Sequence, residues 1–501
     1  MFGANEFGSG RGMSVGGLAR SRTGRHELPR TGLLLSLALA ALLGLTSIGG
    51  LLAASRPSAL LALLLGAPLA FWLVTRLRAA VGLLVASFFF DGYLAATGLL
   101  SPAKLIGVVA CVSLVHHVLV RQQALLVPPL LLTVAAFGLW VIVARAFAHD
   151  GVYGNEVALR YVMLFVLAFL VVQSVAGDRS TVDVFGDVLT AAAGIAAVLG
   201  LYEFLLNGAE RATGPVEDPN DFAFLLCTVV PVTVYRIRWG GGRVAGALRV
   251  LALVVMFGCI MATFSRGGLV ALGAAAAWAL WTRRLAVRWA VLSLVAMVAV
   301  AGLALYTNPE TVTSAFERKE NVAQSNIDTR FITWELAVEQ FLSSPIVGVG
   351  PGNFEYRYWE FALPYDLGGA PPPPHNAYLH ILAEFGAPGF ALFALYLLLG
   401  WGLLRRRSSD PRTDALLSSL AAGFLVALVG AVFLSEQYYA PMWVFPALGA
   451  TLLVRDRGAP TSQALGDGSE AGPAVAVAGG EGPAKVTGAA SDAPYRWDRR
   501  S

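Results

Sequence analysis

Long runs of apolar residues constrain this chain more than any other feature of its sequence. Of its 501 residues, 56% are hydrophobic and only 14% are charged. A run of about 18 or more apolar residues can cross a bilayer as a helix, and about fourteen such runs follow one another here, give or take about two. They cover residues 31–54, 58–75, 79–97, 103–121, 124–147, 156–176, 182–206, 220–237, 245–264, 267–282, 288–307, 377–404, 413–434 and 439–455. The chain is therefore predicted to be an all-α polytopic membrane protein, with about 12–14 transmembrane helices and one large loop containing short helices.

Arginines distinguish the two sides of the predicted bundle. If the N-terminus lies inside, arginine-rich segments fall in the inside loops and few basic residues fall outside. The inside arginines are Arg76, Arg78, Arg121, Arg179, Arg236, Arg238, Arg243, Arg283, Arg284, Arg288, Arg405, Arg406, Arg407, Arg412, Arg455 and Arg457. Because Lys and Arg accumulate in cytoplasmic loops, both termini are predicted to be cytoplasmic.

The predicted organisation has five parts. Residues 1–30 are rich in Gly, Ser and Arg without an apolar signal-peptide core, and are expected to form a disordered cytoplasmic tail. Residues 31–307 form a transmembrane bundle, residues 308–376 a large extracytoplasmic loop, and residues 377–455 the last transmembrane helices. Residues 456–501 are rich in Gly, Ala and Pro and are expected to form a second disordered cytoplasmic tail.

Composition also excludes some classes of function. The net charge is only +4 and no nucleic-acid-binding motif is visible, so nucleic acid is not an expected partner, whereas membrane lipids are. The three cysteines, Cys111, Cys227 and Cys259, lie in apolar runs without metal-ligand spacing. They are expected to be buried small hydrophobic residues, and neither a metal nor a cofactor is predicted.

The loop 308–376 is the most informative segment. It is about seventy residues long, and loops of that length are usually functional or disordered. Its aromatic residues and helix signals favour an ordered functional segment. Arg330 is expected in the first turn of an amphipathic helix that ends at Ser344-Pro345. The glycines at 348, 350 and 352 are interpreted as a turn in preference to a phosphate-binding loop, since no strand precedes them.

His375 is the candidate general base. Four prolines, Pro371 to Pro374, are expected to form an extended segment that leads to His375 and Asn376. Asn376 is a good N-cap for the following helix, so His375 lies beside the positive end of a helix dipole. That position disfavours the imidazolium, and a neutral imidazole is what a general base requires.

Other polar residues lie near the same predicted face. Arg266 follows Ser265 in an almost loop-free turn, where snorkelling of a lone arginine is the alternative to a function. Arg211 opens a loop whose Asn220 or Asp221 is expected to cap the next helix. Glu384 is expected within the membrane one turn after His380, either as a buried pair with that histidine or in a functional role.

The motifs together resemble the superfamily of O-antigen ligases and Wzy-type polymerases. The matching residues are Arg211, Gly214, Pro219 and Asn220; Ser265, Arg266 and Gly267; Arg330, Trp334, Pro345, Gly348 and Gly350; and His375, Asn376, Tyr378, Leu379, Glu384 and Gly386. No single motif is specific, but their order and their spacing across a large outer loop are. The resemblance covers residues 190–400 well.

The resemblance implies a metal-independent glycosyltransferase of the bacterial inner membrane that faces the periplasm. The implied donor is a glycan linked to undecaprenyl diphosphate, and the acceptor is lipid A-core in a ligase. In the superfamily, the counterparts of Arg266 and Arg330 bind the diphosphate and the counterpart of His375 is the proposed base. We add Arg211 to the diphosphate-binding residues, and Asn220, Ser265, Trp334, Asn376, Tyr378 and Glu384 as supporting residues.

Elementary chemistry agrees with this assignment. Without an Asp cluster for Mg²⁺, the charge that grows on a diphosphate leaving group must be met by fixed cations, and Arg supplies planar bidentate donors. Attack opposite the leaving group would invert the anomeric carbon.

Two alternatives stay open. A Wzy-type polymerase of O-antigen or exopolysaccharide repeats would use the same site with a glycan acceptor. A polysaccharide or lipid transporter is an alternative of another class, but transporters tend to show internal repeats and none is visible.

Overall fold

A bundle of α-helices makes up the described part of the chain. The computed structural model describes residues 68–90, 102–148, 153–175, 178–216, 218–284, 329–362 and 373–458, with isolated positions elsewhere, and these residues contain no strand. The helices are α1 Leu77–Ser87, α2 Pro102–Leu119, α3 Pro129–Ala146, α4 Tyr153–Val175, α5 Arg179–Leu206, α6 Pro219–Trp239, α7 Arg243–Ala262, α8 Arg266–Trp281, α9 at 329–343, α10 Asn353–Tyr356, α11 Tyr358–Ala362, α12 Ala377–Leu404, α13 Pro411–Gly430 and α14 Ala440–Gly458.

Seven of these helices are long and apolar enough to cross a membrane, namely α3 to α7, α12 and α13. A bent pair, Pro68–Val74 and Leu77–Phe90, meets at 117° and raises the number to eight if it is one span. Helices α2 and α14 are shorter apolar helices, and α8 has 16 residues. The class of polytopic all-α membrane protein is therefore confirmed.

Several predicted segments lie wholly or partly outside the described residues. They are the spans 31–54, 58–75, 79–97 and 288–307, the tails 1–30 and 456–501, and much of the loop 308–376 together with the first prolines of the run before His375.

Helix starts follow the sequence closely, because side chains satisfy the first backbone N–H groups. Asp178, Ser265, Asn376 and Asp410 each accept hydrogen bonds from backbone N–H groups at the start of α5, α8, α12 and α13. Pro occupies the first turn of α3, α6 and α13, where its missing N–H costs no helical bond.

Small residues allow the helix axes to approach closely. A Cβ atom on Gly423 of α13 would lie 2.5 Å from the carbonyl oxygen of Thr228 in α6. A Cβ atom on Gly194 of α5 would lie 3.0 Å from the Cβ atom of Ala252 in α7. Packing at small residues is typical of membrane helices, which gain little from the hydrophobic effect within lipid. Large apolar side chains such as Leu139, Leu248 and Leu398 face outward and are exposed, as expected for lipid-facing surfaces.

Helix α12 is interrupted where a single span was expected from its apolar run. Gly386 has φ 65° and ψ −172°, and Pro388 lacks the N–H that would continue the helical bonds. The carbonyl groups freed by this break are bonded by other parts of the chain. Val349 N donates to Ala383 O (2.9 Å), Gly350 N to Glu384 O (2.9 Å) and Trp140 Nε1 to Phe385 O (2.8 Å).

The segment Pro345 to Gly352, called here the glycine loop, therefore lies against the break in α12. Gly348, Gly350 and Gly352 all have positive φ. A Cβ atom on Gly348 would lie 2.3 Å from the backbone of Glu384, so only glycine fits at this contact. The interpretation of the three glycines as a turn agrees with this geometry.

One end of the bundle, called here the paired end, is held by ion pairs. Arg236 contacts Asp183 at 2.8 Å and Asp187 at 2.7 Å, and Arg249 contacts Asp187 at 2.8 Å. Arg412 from α13 also pairs with Asp183. These contacts join α5, α6, α7 and α13 where α5 and α13 begin and α6 ends.

Candidate functional site

The opposite end of the bundle, called here the site end, carries the predicted functional residues. Here α5 and α7 end and α6, α8 and α12 begin. Ala212 N donates to Ala262 O at 3.0 Å, which holds the connection between α5 and α6 against the end of α7. Ala377 N donates to Ala431 O at 2.8 Å, which joins the start of α12 to the end of α13. These backbone bonds bring residues from distant parts of the sequence to one end.

Arg211 is fixed by two hydrogen bonds. Its Nε donates to Thr263 O at 2.7 Å, and its Nη2 donates to the side-chain oxygen of Asn220 at 2.9 Å. Burial lowers the pKa of Arg211, and the negative charge of Asp218 acts in the opposite direction. Asn220 thus orients Arg211, a contact that the sequence did not predict.

Asp218 caps α6, which corrects the expectation that Asn220 or Asp221 would do so. Its carboxylate accepts from Asn220 N at 2.7 Å and from Asp221 N at 3.1 Å. Asp218 was not among the predicted capping residues, although an Asp directly before Pro at a helix start is a strong capping signal. Asp221 instead hydrogen-bonds to the hydroxyl of Tyr439.

The segments that carry Arg330 and His375 are joined by a hydrogen bond from Trp334 to Pro374, and the charge of Arg330 acts on His375. Burial, then the positive charge of Arg330, lowers the pKa of His375, while Asp218 raises it. Burial likewise lowers the pKa of Arg330, again opposed by Asp218. The negative charge of Asp218 therefore acts on Arg211, Arg330 and His375 alike, and the lowered pKa of His375 favours its neutral imidazole.

Trp334 sets the position of the segment before His375. Trp334 lies on α9 one helical turn after Arg330. Its indole Nε1 donates a hydrogen bond to Pro374 O at 2.9 Å. His375 has φ 48°, an unusual conformation for a residue with a side chain. Asn376 follows in an extended conformation, and its side chain accepts from Tyr378 N and Leu379 N at 3.1 Å each. The capping role expected for Asn376 agrees with these bonds.

Ser265 and Arg266 lie at the start of α8. The buried Ser265 hydroxyl accepts from Gly268 N at 3.3 Å. The adjacent Gly267 faces Phe224 of α6 and Phe433, which follows α13, so Arg266 lies beside the start of α6. The Arg266 side chain is exposed and bonds to none of the other described residues of the site.

Tyr378 and Glu384 are placed differently from the arginines. The Tyr378 hydroxyl donates to Leu428 O at 2.7 Å and joins α12 to α13. Glu384 is fully buried, and its Oε1 accepts from Gly352 N at 2.7 Å. The expected pair with His380 is present, with Glu384 Oε1 3.4 Å from His380 Nε2. Glu384, on α12, therefore holds the glycine loop in place through this hydrogen bond.

The arrangement suits an anionic ligand. Within the described part of the chain, Arg211, Arg266 and Arg330 make no ion pair. The charge of Asp218 acts to raise the pKa of Arg211, Arg330 and His375. Guanidinium groups in this position can bind phosphate oxygens through paired N–H donors. A neutral imidazole beside them can accept a proton from a hydroxyl group. The fold and the site thus define a helical membrane protein with a cationic, histidine-containing site at one end.

Comparison with known proteins gives the family. Residues 251–394 match the family model Wzy_C, described as O-Antigen ligase, so this stretch of the chain is similar to that family. The resemblance inferred from the motifs is confirmed. The matched stretch contains Arg266, Arg330 and His375, whereas Arg211 precedes it. None of the curated proteins compared with the chain matches it.

Proposed function

We propose that the protein is an O-antigen ligase-like glycosyltransferase of the bacterial inner membrane. Its donor is a glycan on undecaprenyl diphosphate, its acceptor is a hydroxyl group of lipid A-core, and its site faces the periplasm. The observation that carries the proposal is the hydrogen bond from Trp334 Nε1 to Pro374 O at 2.9 Å, which joins the helix of Arg330 to the residue before His375 at the end of the bundle where Arg211 also lies. The family of residues 251–394 supports the reaction class.

The charge distribution supports the proposed orientation. The paired end carries most of the arginines of the described connections, including Arg179, Arg243, Arg284 and Arg405. Since basic residues accumulate on the cytoplasmic side, the paired end faces the cytoplasm and the site end faces the periplasm. Both termini are then cytoplasmic. Labelling of single cysteines introduced at the exposed positions 243 and 266 by a membrane-impermeant reagent in spheroplasts tests this assignment, and only position 266 should react.

The proposed reaction needs no metal at the reacting atoms. Arg211, Arg266 and Arg330 bind the diphosphate and stabilise the negative charge that develops as the bond between the anomeric carbon and the diphosphate oxygen breaks. His375 accepts the proton of the acceptor hydroxyl while the acceptor oxygen forms the new bond to that carbon. The electron pair leaves with undecaprenyl diphosphate. Attack from the opposite face inverts the anomeric configuration, and a retained configuration in the product would contradict this step.

A reconstituted assay tests the proposal. Full-length protein in liposomes is supplied with the lipid-diphosphate glycan and lipid A-core, and the products are separated by gel and mass spectrometry. His375→Ala, Arg266→Ala and Arg330→Ala should each reduce transfer by about 10²-fold or more. Arg243→Ala, which removes an exposed arginine at the paired end, is the matched control and should keep transfer. Normal transfer by all three site variants would exclude the proposed site.

The acceptor decides between ligase and polymerase. In cells that lack the protein, loss of long-chain lipopolysaccharide with polymer still on undecaprenyl diphosphate indicates a ligase. Lipopolysaccharide with a single repeat indicates a polymerase, which would use the same donor site with a lipid-linked repeat as acceptor.

A further inference from the structure

Three potential metal ligands meet beside the glycine loop. Glu355 of α10 and His380 and Glu384 of α12 each place one ligand atom within 4.8 Å of the others. His380 is 2% exposed and Glu384 is fully buried, whereas Glu355 is half-buried and leaves a route from solvent. None of the three is a proposed diphosphate-binding residue or the proposed base, although Glu384 was predicted as a supporting residue of that site.

Two buried atoms in this group are left without hydrogen-bond partners. They are Glu384 Oε2 and His380 Nε2, and both side chains are almost completely removed from solvent. Buried polar atoms are normally satisfied, so each exception needs an explanation. His380 Nε2 lies 3.4 Å from Glu384 Oε1, which is longer than an ordinary N–H···O bond. Two ligands of one tetrahedral Zn²⁺, each about 2.0–2.2 Å from the ion, lie at about this separation.

The group holds two carboxylates but only one basic side chain, His380, which pairs with Glu384. Among the described residues, neither Glu355 nor Glu384 forms an ion pair with a lysine or an arginine. The guanidinium group of Arg160 influences Glu355, but it lies over the ring of Tyr438, 5.1 Å from its centroid. Two carboxylates in a buried setting require a bound cation or protons, because isolated buried charge is strongly unfavourable. A divalent ion matches the charge of two carboxylates.

Gln437 contacts the ring nitrogen of His380 that faces away from the two carboxylates. Its amide Nε2 lies 3.1 Å from His380 Nδ1, and its buried Oε1 has no partner. If the side-chain amide of Gln437 is rotated by 180°, its Oε1 atom faces His380 Nδ1 and can accept a hydrogen bond from an Nδ1–H group. The lone pair of His380 Nε2 then points toward the two carboxylates. A ligand histidine that donates its other N–H to an oxygen is the common arrangement in metal sites.

We propose that Glu355, His380 and Glu384 bind a divalent transition-metal ion, and that Zn²⁺ fits them best. One imidazole nitrogen with two carboxylate oxygens suits Zn²⁺, whereas Mg²⁺ and Ca²⁺ prefer oxygen ligands alone. The ion joins α10 to α12 next to the glycine loop, so its role is structural. This departs from the expectation of a metal-free protein, although the transfer chemistry at His375 does not use the ion.

Metal content and thermal unfolding test the proposal independently of any transfer activity. The full-length protein is purified without a histidine tag, and its metals are measured by mass spectrometry. Wild type should hold one ion per chain after dialysis, and His380→Gln and Glu384→Gln should hold almost none. After chelation, added ZnCl₂ should raise the Tm of wild type by several degrees and leave these variants unchanged. Glu360→Gln, which removes an exposed carboxylate on the neighbouring α11, is the matched control and should retain the ion.

If the variants fail to fold, the proposal can still be tested, because Co²⁺ binding can be measured on the wild-type protein alone. Binding by one nitrogen and two or three oxygens should give visible absorption bands of a four- or five-coordinate ion. If purified wild type holds no metal, shows no Zn²⁺-dependent rise in Tm and gives no Co²⁺ bands, the proposal is wrong and the carboxylates carry protons. Equal metal content in wild type, His380→Gln and Glu384→Gln would overturn it as well.

Discussion

The two ends of the bundle use arginine in opposite ways. At the paired end, Arg236 and Arg249 contact Asp187, and Arg236 and Arg412 contact Asp183, so each guanidinium has a carboxylate. At the site end, Arg211 and Arg330 share the field of one carboxylate, Asp218, and form no ion pair with a described residue. Paired arginines hold helices together, whereas arginines without a carboxylate remain available to an anionic ligand.

The largest expected effect contrasts stability at the two ends. Arg236→Met leaves Asp183 and Asp187 in a largely buried network that has lost a cation, and should destabilise the protein by about 3–5 kcal/mol. Arg330→Met should change the free energy of unfolding by less than about 1 kcal/mol, because no ion pair is lost. Thermal unfolding in the same detergent measures both. Equal destabilisation would show that the site end is built like the paired end and would remove the contrast.

Replacing Arg330 by Lys separates charge from geometry. The ammonium keeps the positive charge but loses the planar pair of donors, so transfer should fall about 10- to 100-fold with no loss of stability. Initial rates with the lipid-diphosphate donor measure the change. A rate equal to that of wild type would mean that Arg330 contributes charge alone.

The pH dependence of transfer should reveal the charge around His375. Burial and Arg330 hold the pKa of His375 below its ordinary value, so the neutral base persists to lower pH and the rate should fall only below about pH 6.5. Arg330→Gln removes the positive charge of Arg330 and therefore raises the pKa of His375. The fall of the transfer rate at acidic pH, called here the acid limb, should then begin at a higher pH. The measurement is the residual rate of that variant across pH. An unmoved limb would place Arg330 too far from His375 to act on it.

The smallest effect is expected for Asp218→Asn. Asn caps helices about as well as Asp, so α6 should keep its start and stability should change little. Loss of the carboxylate makes the site end more positive, and KM for the anionic donor should fall a few-fold. Because Asp218 raises the pKa of His375, the acid limb should move to lower pH, opposite to the shift in Arg330→Gln. A raised KM would indicate that Asp218 orients the arginines instead of competing with the ligand.

Sequence reasoning succeeded where the physics is local. Apolar length predicted the spans α3 to α7, α12 and α13, because each helix satisfies its own backbone groups within lipid. Caps such as Asn376 followed from side-chain chemistry within three residues. Arg266, Arg330 and His375 lie at or near helix starts, as the local pattern predicted, and their common role in one site stays a prediction.

Features that depend on distant partners could not be predicted. Gly386 and Pro388 are visible in the sequence as helix breakers, but the partners of the freed carbonyl groups could not be predicted, since they come from Val349, Gly350 and Trp140. Glu355 gave no signal of its own, because its neighbours His380 and Glu384 are brought to it by the fold. Asp218 was missed for a different reason, since the capping signal was visible and was assigned to the residues after it.

The interrupted helix α12 has a consequence for how the protein is made. The freed carbonyl groups of Ala383 and Glu384 have their partners in the glycine loop, which the ribosome synthesises before α12. Until the two segments meet, a bilayer would face unsatisfied peptide groups in the first third of an otherwise apolar helix. Stable integration of α12 is therefore expected to need the glycine loop, and Gly348→Ala, whose Cβ atom would lie 2.3 Å from the backbone of Glu384, should lower the fraction of chains with α12 inserted.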